Sequence, residues 1–277
     1  MKLSPPRPHG LALAIALTLS GLAAAPAQAA PGVQQILDAN AKARGGLATW
    51  RAVNTLTTEG AMDAGGKPNR ELHYVLHQKR GRKQRLELTV KDQVAVQVYD
   101  GVQGWKVRPY LNTSEVQPYT AAETEVAQRA EELDGLLLDA AAKRTQISYV
   151  GEEKIDGKDN YRLHVVPAQG KPRDVWLDAS TYLETRIEGD PRRLDGRMHA
   201  VSVYYKDYRP EHGLVLPHLQ ETVVEGVKER YKLTITKATV NEPLPDSLFA
   251  KPAAAPGPTT TPATASPAPA ATAVATR

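Results

Sequence analysis

Two pairs of side chains are the first places to look for chemistry in this 277-residue chain: His73 with His77, and Asp174 with Asp178. A chelating histidine pair on a strand needs a spacing of two; at a spacing of four the rings share a face but stand roughly 13 Å apart. The histidines therefore read as members of a solvated face. His164, His199, His212 and His218 are scattered along the chain. Asp174 and Asp178 flank Trp176 and Leu177 and read as strand-end and turn carboxylates. The chain has no cysteine, which excludes disulfides, thiolate metal sites and a cysteine nucleophile. Neither a Gly-x-Ser-x-Gly elbow, nor a His-Glu-x-x-His helix, nor a phosphate-binding glycine loop is present. The sequence thus gives no reason to expect catalysis, a metal or a cofactor. Lys79-Arg80-Gly81-Arg82-Lys83, continued by Arg85, reads as a solvated basic loop.

What must then be explained is apolar patterning. Residues 70–109 hold three short segments that alternate apolar and polar side chains: Leu72, Tyr74 and Leu76; Leu86, Leu88 and Val90; Val94, Val96 and Val98. Alternation with period 2 is the mark of strands with one buried face, so these segments predict an antiparallel meander. The three apolar sets are read as one continuous face. Asp100-Gly101 leads by a tight turn to Trp105, expected to anchor the same inner face.

Further strands are expected at 54–62, before the Gly65-Gly66-Lys67-Pro68 turn, and at intervals from Ile147 to Ile235. Helices flank and interrupt them. Val33, Ile36, Leu37 and Ala41 repeat at helical spacing until Gly45-Gly46, and Leu47, Trp50 and Val53 form a second apolar patch. This helix either packs on the sheet or lines a cavity. Thr120 and Glu123 form a capping box for another helix, with Val126, Ala130, Leu133 and Leu137 as its apolar face. The Leu136-Leu137-Leu138 run is either core or a mobile lid. About ten or eleven strands with such helices predict a mainly β fold, a strongly curved antiparallel sheet or incomplete barrel.

Both chain ends differ in kind from this domain. Lys2 and Arg7 precede an apolar run at 11–25, and Ala27-Gln28-Ala29 has the small-x-small form of a cleavage site. Residues 1–29 are therefore expected to be a signal peptide, and 30–250 a single exported domain. No later stretch approaches the roughly 20 apolar residues of a membrane span. The formal charge of +4 includes Lys2 and Arg7, and the remaining +2 is too weak to argue for nucleic acid. Residues 251–277 are almost entirely alanine, proline and threonine, a composition that cannot offset its ordering entropy and predicts a disordered tail. Deleting that tail is expected to leave the melting temperature unchanged, and a loss of several degrees would show that it docks.

Several phrases together resemble the LolA-like periplasmic outer-membrane lipoprotein-sorting family: Ala43-Arg44-Gly45-Gly46-Leu47 through Gly60, Asp100-Gly101 to Trp105 and Pro109, Val175-Trp176-Leu177-Asp178 followed by Leu183-Glu184-Thr185-Arg186, the run 208–217, and Pro245-Asp246-Ser247-Leu248-Phe249. The resemblance spans nearly all of residues 33–250. It implies a half barrel of the LolA and LolB kind, with helices covering its concave face. It also implies an apolar cavity that carries lipoprotein acyl chains or another lipid in the periplasm, exchanging with inner- and outer-membrane lipoprotein-transfer proteins. On that reading the cavity is lined by Ile36, Leu37, Leu72, Tyr74, Leu86, Leu88, Val94, Val96, Trp105 and Leu137. Family members hold the lid with the arginine of a Lys-Arg-Pro; Lys79-Arg80 match it, making Arg80 the candidate latch, with Gly81 in place of the proline. A lipid-sensing module of the same fold, like the RseB type, and an exported hydrolase are the alternatives.

Overall fold

The computed structural model describes residues 32–63, 71–111 and 115–253. The expected signal peptide, the Gly65-Gly66-Lys67-Pro68 turn and all but the first three residues of the tail lie outside the described residues. Among the described residues three α-helices, α1 (Val33–Ala43), α2 (Leu47–Arg51) and α3 (Ala121–Gln128), accompany one sheet of thirteen strands. The strands are β1 (Thr55–Asp63), β2 (Glu71–Lys79), β3 (Lys83–Val90), β4 (Gln93–Tyr99), β5 (Gly104–Val107), β6 (Gln117–Pro118), β7 (Gln146–Ile155), β8 (Lys158–Val166), β9 (Arg173–Asp178), β10 (Glu184–Leu194), β11 (Arg197–Glu211), β12 (Leu214–Val224) and β13 (Arg230–Val240).

Every pairing is antiparallel, and the order is β6-β5-β4-β3-β2-β1-β13-β12-β11-β10-β9-β8-β7. Two meanders, β1 to β6 and β7 to β13, are thus joined where β1 pairs with β13. Their far ends, β6 and β7, are the open edges of an unclosed sheet. This order has a topological consequence. The connection from β6 to β7, residues 119–145, must travel from one edge to the other, and it carries α3 and the leucine run across the sheet.

Register assigns the faces, because directly paired residues on neighbouring strands point the same way. Tyr74, Leu76 and Gln78 of β2 pair with Leu88, Leu86 and Gln84 of β3, so these share the inner face as expected. At β4 the expectation fails. Leu88 pairs with Ala95 and Leu86 with Gln97, while Val94 and Val96 pair with Thr89 and Glu87 on the outer face. The reason is turn length. The β2–β3 link holds three residues between the paired Lys79 and Lys83, which preserves parity, whereas the β3–β4 link holds two between Val90 and Gln93, which inverts it.

Trp105, paired with Val98, is outer too. There Val96 and Val98 form a core with Leu244 and Phe249, and Trp105 and Leu248 pack on it. Lys79 and Lys83 grip Asp246 of this covering segment at 2.8 and 3.0 Å, so part of the basic loop is fastened rather than solvated.

Lys91 and Asp92, the two turn residues, both have positive φ, at 50° and 63°. That conformation suits Asn-Gly far better than Lys-Asp. Replacing them (Lys91→Asn with Asp92→Gly) is expected to stabilise the domain by about 1 kcal/mol, raising Tm by roughly 2–4 °C. A fall in Tm would contradict the turn geometry on which the face inversion rests.

The inner face carries two cores. Ile36 of α1 is fully buried among Leu137, Leu163, Val165, Val175 and Leu177, with Leu37 packed alongside. Trp50 of α2 sits with Leu56, Leu138, Leu214 and Leu216. Leu137 and Leu138 are therefore core. Gly45 seats the helices: a Cβ there would lie 2.2 Å from the Gly213 carbonyl oxygen, and the adjoining Arg44 carbonyl accepts from both Val215 N–H and Trp50 Nε1. The capping box of α3 forms as expected, with Glu123 also held by Lys106 at 2.6 Å. The helix ends at Gln128, however, short of the Ala130, Leu133 and Leu137 assigned to its apolar face, and Val126 is exposed. Beyond it the chain proceeds by turns that place Gly135 at φ 74°.

Candidate functional site: a cavity under the cross-sheet segment

Between the inner face and its cover lies a cavity of about 510 Å³. Its apolar wall comes from Leu56, Tyr74 and Leu76 of β1 and β2, Leu233 and Ile235 of β13, and Leu133, Leu136 and Leu137 of the covering segment. Tyr74 is fully buried, and among the described residues its hydroxyl meets no partner in good hydrogen-bonding geometry, Thr58 being the polar group that faces it. Burial pushes its pKa up to about 12, with Thr58 acting weakly in the opposite direction.

The opposite end is polar. Arg44, Arg173, Glu131, Glu184, Tyr205 and Tyr208 all border the cavity. Arg44 donates to Glu184 at 3.1 Å and stacks over Trp50, 4.6 Å from the ring centre. Tyr208 donates to the Glu184 carbonyl at 2.8 Å. Glu131 borders the cavity and keeps 34% of its side-chain surface open. Burial raises its pKa, and Arg173 only partly opposes the shift. Burial likewise raises the pKa of Tyr205 and of Tyr208, so both hydroxyls stay protonated at neutral pH.

The cover is fastened at one buried carboxylate. Asp134, 4% exposed at its side chain, accepts from Arg80 Nη1 at 3.2 Å and from Lys143 Nζ. Arg80 also donates to the carbonyls of Val53 and Trp50, both at 2.7 Å, at the C-terminal end of α2. Lys143 binds the Gly135 and Leu138 carbonyls at 2.7 and 2.8 Å, and Arg44 the Asp134 carbonyl at 3.1 Å. One side chain from the β2–β3 loop thus ties α2, the sheet and the covering segment together.

Of the residues expected to line a cavity, Tyr74 and Leu137 do so. Ile36 and Leu37 instead pack in the neighbouring core. Leu72, Leu86 and Leu88 share the inner face beyond the cavity's edge, and Val94, Val96 and Trp105 lie on the other side of the sheet. The charged end was missed, although a signal exists. Arg173 shares the parity of Val175 and Leu177, as Tyr205 shares that of Val201 and Val203, and a charge on the buried parity of a strand demands a partner.

No protein-family model and no curated protein matches the chain. Among solved structures, it is similar to a LolA superfamily protein from Nitrosomonas europaea, with a TM-score of 0.54 and 16% identity over 80% of this chain and 99% of that one. It is similar to a protein domain named for outer membrane lipoprotein sorting from Vibrio parahaemolyticus, at 0.52 and 14% over 79% and 96%. A DUF1329 family protein from Desulfovibrio piger gives 0.52 and 14% over 80% and 98%. The LolA-like resemblance read from the sequence is thereby met at the level of the fold, an open, curved antiparallel sheet with few helices.

Proposed function

We propose that this protein is an exported, periplasmic carrier that shields the acyl chain of a lipoprotein or another amphiphile from water. The observation that carries the reading is the cavity itself, walled by Leu56, Leu76, Leu133 and Ile235 between the sheet and a segment fastened through Asp134. Burying a chain there gains roughly 0.8 kcal/mol per methylene, enough to extract it from a membrane surface with a partner's help. The fold shared with a LolA superfamily protein and with a domain named for lipoprotein sorting supports the same reading. Transfer proteins of the inner and outer membrane are its proposed partners. Among the described residues no helix is long and apolar enough to cross a membrane.

Binding rather than catalysis is proposed because the histidines that face carboxylates, His164 toward Asp174 and His218 toward Glu211, stand outside the cavity lining. Native mass spectrometry of protein purified from the periplasm, followed by lipid extraction, tests the assignment. A co-purified lipid or acylated peptide is the expected result. Protein that emerges empty and then fails to take up any acyl probe would overturn it.

A further inference from the structure

The cavity's two ends differ in a way that bears on what it carries. Arg44 is engaged, by Glu184 and by the Asp134 carbonyl, each at 3.1 Å. Arg173 is not. Its nearest carboxylates, Glu131 and Asp190, stand at 3.6 and 3.8 Å, beyond hydrogen-bonding reach, and its side chain is only 18% exposed. A guanidinium offers five N–H donors in a planar fork matched to carboxylate and phosphate oxygens. Here that fork borders a cavity that Tyr205 also lines, and the charge of Arg173 is felt at the Tyr205 hydroxyl.

We infer that Arg173 and Tyr205 form the head-group end of the cavity, and that its ligand is a single-chain amphiphile with an anionic head, the tail lying along Leu76, Leu133 and Ile235. This deepens the carrier reading and rests on it.

The sign of the preferred head follows from which charges are not tied by hydrogen bonds. Arg44 and Glu184 neutralise each other, and Asp190 is 56% exposed and so screened by water. That leaves Arg173 and Glu131 to set the local charge. An arginine stays protonated, whereas Glu131, faced by Arg173, Glu184, Arg44, Lys143 and Tyr205, has its carboxyl shifted toward the neutral form by burial. An arriving anion that takes over Arg173 raises the Glu131 pKa further and leaves the guanidinium facing the head. A carboxylate or a phosphate monoester supplies the oxygens that a guanidinium fork takes.

Calorimetric titration of the purified protein with palmitate, palmitoyl lysophosphatidate and uncharged monopalmitoylglycerol, each below its micelle concentration, tests this. At least one of the acids is expected to bind about tenfold more tightly than the monoglyceride, and the larger margin identifies the head. Arg173→Met should remove the margin while leaving monoglyceride affinity within about twofold. Glu131→Gln, which removes the competing carboxylate, should widen it, a gain that misfolding cannot produce. Equal affinity for all three ligands, or a margin that survives Arg173→Met, overturns the inference and leaves the carrier reading standing. Failure of all three to bind overturns both.

Discussion

Replacing Asp134 with alanine is expected to destabilise the domain by about 3–5 kcal/mol, with a fall in Tm of roughly 10 °C. The size follows from what the carboxylate leaves behind. Asp134 is the buried partner of Arg80 and Lys143, and without it both cations lose a partner beneath the cover. Their side chains are 31% and 22% exposed, so water recovers part of the loss and places the effect toward the lower end. The remaining contacts of Arg80 with the Val53 and Trp50 carbonyls hold α2 in place, so the damage should concentrate in the covering segment. Limited proteolysis is therefore expected to cut first within residues 131–145. Asp134→Asn, which keeps an acceptor for one of the two cations, should cost about 1–3 kcal/mol. An alanine variant within 1 kcal/mol of wild type and no more susceptible to protease would refute the idea that this carboxylate fastens the cover.

This hub was hidden from the sequence by distance. Arg80 and Asp134 are 54 residues apart and belong to different elements, and no periodicity links them. Only the resemblance to a family arginine distinguishes Arg80 in the sequence, and its neighbours Lys79 and Lys83 read as solvated there although both bind Asp246 in the fold. The strands themselves were legible, because period-2 alternation survives from residue to residue. Face was legible only until the first two-residue turn. Val94, Val96 and Val98 alternate as cleanly as Leu86 and Leu88, yet Lys91-Asp92 turns them outward. Val96 and Val98 are kept from water by Leu244 and Phe249, far along the chain, whereas Val94 stays exposed. Likewise, the cover could be inferred to exist but not assembled, since the need for residues 119–145 to cross the sheet appears only once β6 and β7 are known to be opposite edges.

The two faces make opposite predictions for the same substitution. Leu76 borders the cavity, whereas Val98, fully buried, is packed against the outer cover. A glutamate at 76 places its carboxylate where the cavity has room for water, so the charge can stay hydrated or be neutralised by a shifted pKa. Leu76→Glu should therefore fold with a Tm within about 5 °C of wild type while losing about a hundredfold or more in affinity for a fluorescent acyl probe, which would now lie against a charge. At Val98 there is no room: Arg85, its cross-strand neighbour, is already held by Glu87 and the Leu248 carbonyl, and the larger side chain forces Phe249 and Leu244 apart. Val98→Glu should cost on the order of 5 kcal/mol or more and leave the domain largely unfolded. Circular dichroism melts and probe titrations on the two variants, run side by side, read both effects. A folded Val98→Glu variant alongside an unfolded Leu76→Glu would reverse the assignment of the faces. A folded Leu76→Glu that binds the probe at wild-type affinity would remove the cavity from the carrier mechanism altogether.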